Sequence, residues 1–278
     1  MLDRFEVFAD DLNHPEGVTW NPVDGNVYAG GEGGEVYRIS LEGEVELAGH
    51  SGGSMLGLAV DGHGGVYACD AGRGEIVRLD PRSGALETYA RGPGGVGMDT
   101  PNVAAFGPDG SLYVTCSGEA GRPEIVRVAP GGHTEPWTDA VPGYPNGCVV
   151  MPAGDALLVV EAKAERIVRV PILADGSAGV VAVFADLPDT DPDGLTLDEH
   201  DHLWVTLYRP DGLVRIDPDG REVLRIDDHL ASTMDAPTNL AFVGEHLEVV
   251  VIANVGDRSL SRVDLQVRGR APHYPEVP

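Results

Sequence analysis

The sequence predicts an all-β fold, a six-bladed β-propeller whose ring is closed by the N-terminal strand. Three observations predict it. One pattern of short strands recurs six times, successive repeats lie 40 to 47 residues apart, and the strand missing from the last repeat is found at the N-terminus. A period in the forties with several short strands per repeat is typical of propeller blades. We therefore expect residues 1–278 to form a single domain.

Each repeat is built from short strands separated by turns. The second strand of a repeat reads as in Gly65-Val-Tyr-Ala-Cys69, and the third ends in Arg and an aliphatic residue, as in Glu75-Ile-Val-Arg-Leu79. These segments are rich in Val and Tyr and are bounded by Gly, Asp and Pro, which favours strands over helices. Pro-Asp-Gly recurs between them, a composition that favours turns.

The first strand of each repeat carries one residue at an equivalent position. In a propeller the innermost strand of every blade lines the central channel, so these six side chains are expected to converge on the axis. They are Glu16, Leu56, Asn102, Asn146, Asp193 and Thr238, at steps of 40, 46, 44, 47 and 45 residues.

The two chain ends are predicted to share the last blade. The sixth repeat ends near Leu265 without the fourth-strand pattern seen in the second repeat at Leu86-Glu-Thr-Tyr-Ala90. A matching pattern stands at the N-terminus, Phe5-Glu-Val-Phe-Ala9. A strand supplied from there would close the ring and remove an open sheet edge.

Composition narrows the range of partners. The chain has 45 Asp and Glu against 19 Lys and Arg, a formal net charge of −26, and Lys163 is its single lysine. Nucleic acids and anionic membranes repel such a surface, so a small-molecule partner is expected instead. The longest aliphatic run, Val249 to Ala253, is too short to span a bilayer.

The N-terminal residues and the cysteines suggest an intracellular setting. The first residues are acidic where a signal peptide needs a basic and then an apolar segment, so a cytoplasmic location is predicted. Cys69, Cys116 and Cys148 lie far apart in the sequence, which speaks against a disulfide framework or a zinc site.

The axial positions predict a metal site. Four of the six, Glu16, Asn102, Asn146 and Asp193, carry a carboxylate or carboxamide oxygen. Such hard ligands suit one divalent cation, with Ca²⁺ preferred and Mg²⁺, Mn²⁺ or Zn²⁺ also possible. Pro precedes each of them, so turn residues are the alternative. Four polar residues at one repeat-equivalent position favour the metal site.

The same residues carry a family resemblance. Pro15-Glu-Gly-Val-Thr-Trp20, Pro145-Asn-Gly147 and Asp191-Pro-Asp-Gly194, with their mutual spacing, resemble the regucalcin/gluconolactonase (senescence marker protein-like) family across essentially the whole chain. The resemblance implies a six-bladed propeller that binds one catalytic cation through Glu16, Asn146 and Asp193. It implies that Asn102 contacts substrate or metal. Thr100 stands where sugar-lactone members have Arg.

The function predicted is a metal-dependent lactonase, a gluconolactonase-like hydrolase that opens a sugar acid lactone or another small lactone by metal-activated water. Asp193 is the candidate base, Glu16 an electrostatic ligand, and the Asn102 amide a support for the oxyanion. His14, Tyr144 and Tyr208 are candidate substrate-binding residues in nearby loops. A phosphotriesterase acting through the same site, and a non-catalytic binding propeller, are the alternatives.

Overall fold

The computed structural model of the protein describes residues 2–118 and 124–278, and its regular elements are almost all strands. The strands are β1 (Glu6–Ala9), β2 (Val18–Asn21), β3 (Asn26–Gly30), β4 (Glu35–Ile39), β5 (Val45–His50), β6 (Met55–Val60), β7 (Val66–Asp70), β8 (Glu75–Asp80), β9 (Ala85–Arg91), β10 (Pro101–Phe106), β11 (Leu112–Cys116), β12 (Ile125–Val128), β13 (Thr134–Thr138), β14 (Pro145–Val150), β15 (Ala156–Glu161), β16 (Arg166–Pro171), β17 (Ala182–Asp186), β18 (Asp191–Leu197), β19 (Leu203–Arg209), β20 (Gly212–Ile216), β21 (Glu222–Asp227), β22 (Pro237–Val243), β23 (Val249–Asn254) and β24 (Ser259–Val263). Short 3-10 helices span Leu2–Arg4, Pro93–Gly95 and Ala162–Ala164. Within the described ranges, no helix has the length and apolar character needed to cross a membrane.

The strands form six four-stranded antiparallel sheets, the blades of a six-bladed propeller. Blades 1 to 5 are β2 to β5, β6 to β9, β10 to β13, β14 to β17 and β18 to β21, each in chain order from the axis outward. Blade 6 has the order β22-β23-β24-β1. The predicted fold and its ring closure are therefore confirmed.

The closing strand is held by pairing and by packing. In β1, Val7 lies opposite Ser261 of β24, and the side chains of Phe5 and Phe8 are buried. Burying such a ring stabilises a fold by about 1.5–3 kcal/mol. The N-terminal segment is thus an integral part of blade 6, as the missing fourth strand predicted.

Aromatic residues join neighbouring blades. The Tyr67 ring of blade 2 meets Tyr89 and Phe106 edge-on, with centroids 4.8 and 5.0 Å apart. Phe106 belongs to blade 3, so this cluster crosses the boundary between the two sheets. The second-strand aromatic residue that recurs along the sequence therefore packs between blades.

The arginine that recurs in the third strands has a structural partner. In blades 2 to 5 it pairs with an aspartate in the turn between the first two strands of its own blade, whereas Arg38 of blade 1 pairs with Glu46 and Arg262 of blade 6 with Glu6. In blade 5, Arg215 Nη2 lies 2.6 Å from Asp198 Oδ2, and Asp198 is fully buried. Equivalent pairs join Arg78 to Asp61, Arg127 to Asp109 and Arg169 to Asp155.

The C-terminal segment crosses the end of the channel opposite to the start of the inner strands. It meets blade 5 through a hydrogen bond from Arg270 N to Leu197 O, and blade 4 through His273 Nε2 and Met151 O at 3.0 Å. Pro275 O then accepts from Gly62 N of blade 2, and Val277 is buried between blades 2 and 3. We call this segment the C-terminal strap, and the repeat pattern of the sequence did not predict it.

Candidate metal centre and active site

A cavity of about 730 Å³ opens at the end of the channel where the inner strands begin, which we call the mouth. Five of the six repeat-equivalent residues line it, and Thr238 does not. The lining residues are His14, Glu16, Glu32, Ser54, Met55, Leu56, Asn102, Tyr144, Asn146, Ala162, Lys163, Asp191, Pro192, Asp193, Tyr208 and Val255.

A bulge at the start of the inner strands releases these side chains from the ladder. In blade 3 the register shifts between Pro101 and Ala104, and in blade 4 between Pro145 and Cys148. The same shift occurs in blade 5 between Pro192 and Leu195. A bulge leaves its residues unpaired and re-aims their side chains. Asn102, Asn146 and Asp193 all lie within these bulges.

Glycine after the ligand position lets adjacent inner strands approach closely. A Cβ on Gly147 would lie 2.4 Å from Asp193 O, and one on Gly194 would lie 2.6 Å from Thr238 O. Both distances are shorter than a carbon and an oxygen can tolerate. The glycines in Pro-Asn-Gly and Pro-Asp-Gly therefore set the width of the ring, a role that differs from the predicted turn.

Hydrogen bonds fix the polar side chains and leave specific oxygens free. Asn146 donates a side-chain hydrogen bond to Asp193, while Asn146 Oδ1 is buried and has no hydrogen-bond partner among the described residues. Asn102 Nδ2 donates to Ser117 Oγ at 2.9 Å, and Ser117 Oγ donates to Pro145 O at 2.6 Å. The buried acceptor left without a partner is thus the carboxamide oxygen of Asn146.

The carboxylates of the site are electrostatically uncompensated. Burial raises the pKa of Asp193 well above its ordinary value, and Glu16 and Asp191 raise it further against the hydrogen bond from Asn146. Burial also raises the pKa of Glu16, and Glu32 adds to the effect. A positive charge between Glu16 and Asp193 would remove this penalty.

The donor set suits a hard cation. Within residues 2–118 and 124–278, no group of three or more His, Cys, Asp or Glu is placed to hold a metal ion. Glu16 and Asp193 supply two carboxylates, so the amide oxygens of Asn102 and Asn146 are needed to complete a site. Carboxylate and amide oxygens are ligands of Ca²⁺ and Mg²⁺. The buried, unpartnered Asn146 Oδ1 fits that role.

A second set of residues lies at the mouth, each two positions before one of the repeat-equivalent residues. In several blades the backbone of this residue is left-handed, with φ of 44° at His14, 53° at Thr100 and 65° at Tyr144. Non-glycine residues adopt this conformation uncommonly. His14 Nδ1 lies 3.2 Å from Glu32 Oε2, and Lys163 Nζ lies 4.7 Å from the centroid of the Tyr144 ring.

The structure brings together every candidate residue singled out from the sequence. Glu16, Asn102, Asn146 and Asp193 lie in one cavity, and the candidate substrate-binding residues His14, Tyr144 and Tyr208 line it too. One N–H of the Asn102 amide is already engaged with Ser117. The amide has a second N–H and an oxygen, so the predicted roles as cation ligand and as oxyanion support both stay predictions.

Other lining residues were missed. Glu32 and Lys163 follow the second strands of blades 1 and 4, away from the aligned positions, and the repeat pattern does not mark them. In blade 5 the sequence singled out Tyr208 as a loop residue, but the structure places it near the end of the equivalent strand, β19. Comparing the loop after the second strand across all six repeats is the signal that could have found both residues.

Comparison with known proteins gives a family match over most of the chain. A profile of the SMP-30/Gluconolactonase/LRE-like region matches residues 14–255. This range begins at His14 and ends at Val255, so it contains every cavity-lining residue. The match covers all six inner strands.

Individual relatives share low sequence identity with the chain, but the matches cover most of both chains. Pentonolactonase XacC of Haloferax volcanii is 24% identical over 253 residues, which cover 87% of this chain and 81% of the relative. The gluconolactonase XC5397 of Xanthomonas campestris superposes with a TM-score of 0.79 at 22% identity, over 94% of this chain and 89% of the other. Regucalcin of Agrobacterium tumefaciens, a calcium-binding protein, gives 0.75 at 20% identity, over 97% and 99%.

Proposed function

Because the chain belongs to the SMP-30/gluconolactonase/LRE-like family, we propose that it is a lactonase that opens a small lactone with the help of one divalent cation. We take residues 1–278 as one domain with this single active site. The cytoplasmic location suggested by the N-terminal residues stays a prediction.

One observation carries the proposal. The buried Asp193 carboxylate and the half-buried Glu16 carboxylate, both with raised pKa, meet a buried, unpartnered amide oxygen in one cavity. Such a cluster destabilises a fold unless a ligand compensates it, because buried polar groups cost free energy when they lack partners. The family relatives named pentonolactonase and gluconolactonase make a lactone the substrate class of choice.

A bound divalent cation would supply Lewis-acid polarisation of the lactone carbonyl and a lower pKa for water beside it. Glu16, Asn102, Asn146 and Asp193 would hold it, with Ca²⁺ as the first choice for this oxygen-rich set.

The side chains divide the remaining work. Asp193 accepts a proton from the attacking water while the water oxygen bonds to the carbonyl carbon. The ring C–O bond then breaks, and the leaving alkoxide takes the proton back from Asp193. Asn146 orients the Asp193 carboxylate through its hydrogen bond. His14, Tyr144 and Tyr208 line the cavity around the sugar ring.

The test is a panel of aldonolactones, followed by acid release, on protein stripped with chelator and reloaded with Ca²⁺, Mg²⁺, Mn²⁺ or Zn²⁺. We expect hydrolysis that needs an added cation and is lost in Asp193→Asn. A phosphotriester panel run in parallel tests the alternative chemistry on the same site. Turnover of phosphotriesters alone, or of neither class with any cation, would overturn the lactonase proposal.

A further inference from the structure

The single lysine of the chain stands at the mouth of the axial cavity. Lys163 lies in the 3-10 helix Ala162–Ala164, directly after β15 of blade 4, and its backbone N–H donates to Gly143 O at 2.9 Å. Its ammonium lies over the Tyr144 ring, which lines the cavity beside it. This cation–π contact holds the charge at the cavity wall.

Among the residues that the structure describes, no carboxylate pairs with this ammonium. Almost every described arginine makes an ion pair, which is expected with 45 acidic residues in the chain. Within the described ranges, the basic side chains that lack a carboxylate within 4.0 Å are Arg82, Arg258 and Lys163. Of these three, Lys163 alone lines the axial cavity.

At the described cavity wall, Lys163 is the one place where an anion is the complementary ligand. The cavity is lined by four carboxylates, those of Glu16, Glu32, Asp191 and Asp193, while His14 is engaged with Glu32. Two of the carboxylates are assigned to the cation. Lys163 is then the one full positive charge of the chain at the described cavity wall, and it is not neutralised from within the chain.

We propose that Lys163 binds a second carboxylate of the substrate, one carried at the end of the molecule away from the lactone carbonyl. This inference rests on the proposed function, and it narrows the substrate to lactones of sugar diacids. Tyr144 precedes Asn146 by two residues and lies beneath the ammonium, so Lys163 belongs to the outer part of the cavity. A single ammonium suits one carboxylate, whereas a phosphate dianion usually draws several donors or arginine forks.

The kinetic test compares galactaro-1,4-lactone with galactono-1,4-lactone, which differ at C6 by a carboxylate in place of a hydroxymethyl group. We expect the wild type to favour the diacid lactone by about five- to tenfold in kcat/KM at low salt, the range for an ion pair partly shielded by substrate. Lys163→Met should remove this preference by raising KM for the diacid lactone more than KM for the neutral lactone. Lys163→Arg should retain it.

A binding arm separates this inference from the proposed function. Galactarate and galactonate, the open-chain acids, are titrated into cation-loaded protein, which requires no turnover. Galactarate should bind more tightly to the wild type and lose about five- to tenfold in Lys163→Met. If no lactone is hydrolysed but this difference persists, the lactonase proposal fails and the anion site stands.

Arg221→Met is the matched control. Its side chain is exposed in the turn between β20 and β21, at the end of the blade opposite the mouth, and it changes the net charge by the same amount. Arg221→Met should leave intact both the kinetic preference for the diacid lactone and the tighter binding of galactarate. Equal effects of Lys163→Met on the two lactones and the two acids, or no effect on either, would overturn the inference.

Discussion

Two buried aspartates of blade 5 lie in opposite environments. Asp198, in the turn after β18, accepts from His200 N, His202 N, Trp204 Nε1 and Arg215. Asp193, five residues earlier, is similarly buried but receives its described hydrogen bond from Asn146. Asp193 lies in the bulge of β18 and Asp198 in the turn after this strand, and their hydrogen-bond partners differ.

Their pKa values move in opposite directions. Burial alone would raise the pKa of Asp198, but Arg215 and the neighbouring N–H donors lower it below its ordinary value. Burial raises the pKa of Asp193, and the nearby Glu16 raises it further. Burial therefore does not by itself identify a functional carboxylate. The number of hydrogen-bond donors does identify it, because donors within the chain satisfy the Asp198 carboxylate and do not satisfy the Asp193 carboxylate.

The largest expected effect separates the two residues by activity. Asp193→Asn keeps an oxygen ligand but cannot accept a proton, so kcat on the best lactone should fall by about 10²–10⁴-fold with saturating cation. Asp198→Asn should retain kcat in the folded enzyme. Both are checked by steady-state hydrolysis, and near-wild-type kcat in Asp193→Asn would remove Asp193 as the base.

Asp198→Asn should lose more stability than Asp193→Asn, which reverses the order expected for the loss of activity. Asp198→Asn leaves the Arg215 guanidinium without its carboxylate, and we expect unfolding in urea to show a loss of about 2–3 kcal/mol. Without cation, Asp193→Asn should be as stable as the wild type or more so, because it removes an uncompensated buried carboxylate. A marked loss in cation-free Asp193→Asn would mean that Asp193 is a structural carboxylate like Asp198.

The comparison sharpens further at the glycine beside Asp193. Gly194→Ala places a methyl group 2.6 Å from Thr238 O, and we expect a loss of about 1–3 kcal/mol together with weaker cation binding. Gly49→Ala in β5 is the control, since its nearest contact is the flexible end of Leu79 at 3.2 Å. Equal unfolding curves for the wild type and Gly194→Ala would refute the close approach of the inner strands.

The smallest effect is a pH dependence of the Asp198 contribution. A carboxylate with a lowered folded pKa adds stability above the unfolded pKa of about 3.9 and loses it as pH falls toward the folded pKa. The stability gap between wild type and Asp198→Asn should thus hold constant from pH 7 to 5 and shrink below about pH 4, by at most about 1.4 kcal/mol per pH unit. Chemical denaturation across that range checks it, and a gap independent of pH would contradict the assignment.

The repeat pattern explains what could be predicted from the sequence. Equivalent positions in successive blades must meet at the axis, so aligning the repeats was enough to bring Glu16, Asn102, Asn146 and Asp193 into one site. The N-terminal strand was predictable because a four-stranded blade lacked one member. Both predictions depend on symmetry, which the sequence displays directly.

Features outside the symmetry were not predictable in this way. The C-terminal strap obeys no repeat, and its contacts from Arg270 to Val277 depend on the finished lower face of the ring. Lys163 lies in a loop that differs from blade to blade, so alignment assigns it no role. The different partners of Asp193 and Asp198 were likewise not predictable. They depend on neighbours that are distant in the sequence, or on the bulge that redirects the side chain.

Calorimetric titration of Ca²⁺ into chelator-treated protein tests the central claim most directly, namely that the axial carboxylates form a cation site. We predict one Ca²⁺ per chain in the wild type and in Asp198→Asn, with clearly weaker binding in Asp193→Asn and Glu16→Ala. The bound cation should also stabilise the wild type by about 2.7 kcal/mol at a hundredfold excess over Kd. Equal affinity in all four proteins, or no binding of Ca²⁺ to the wild type, would contradict the account.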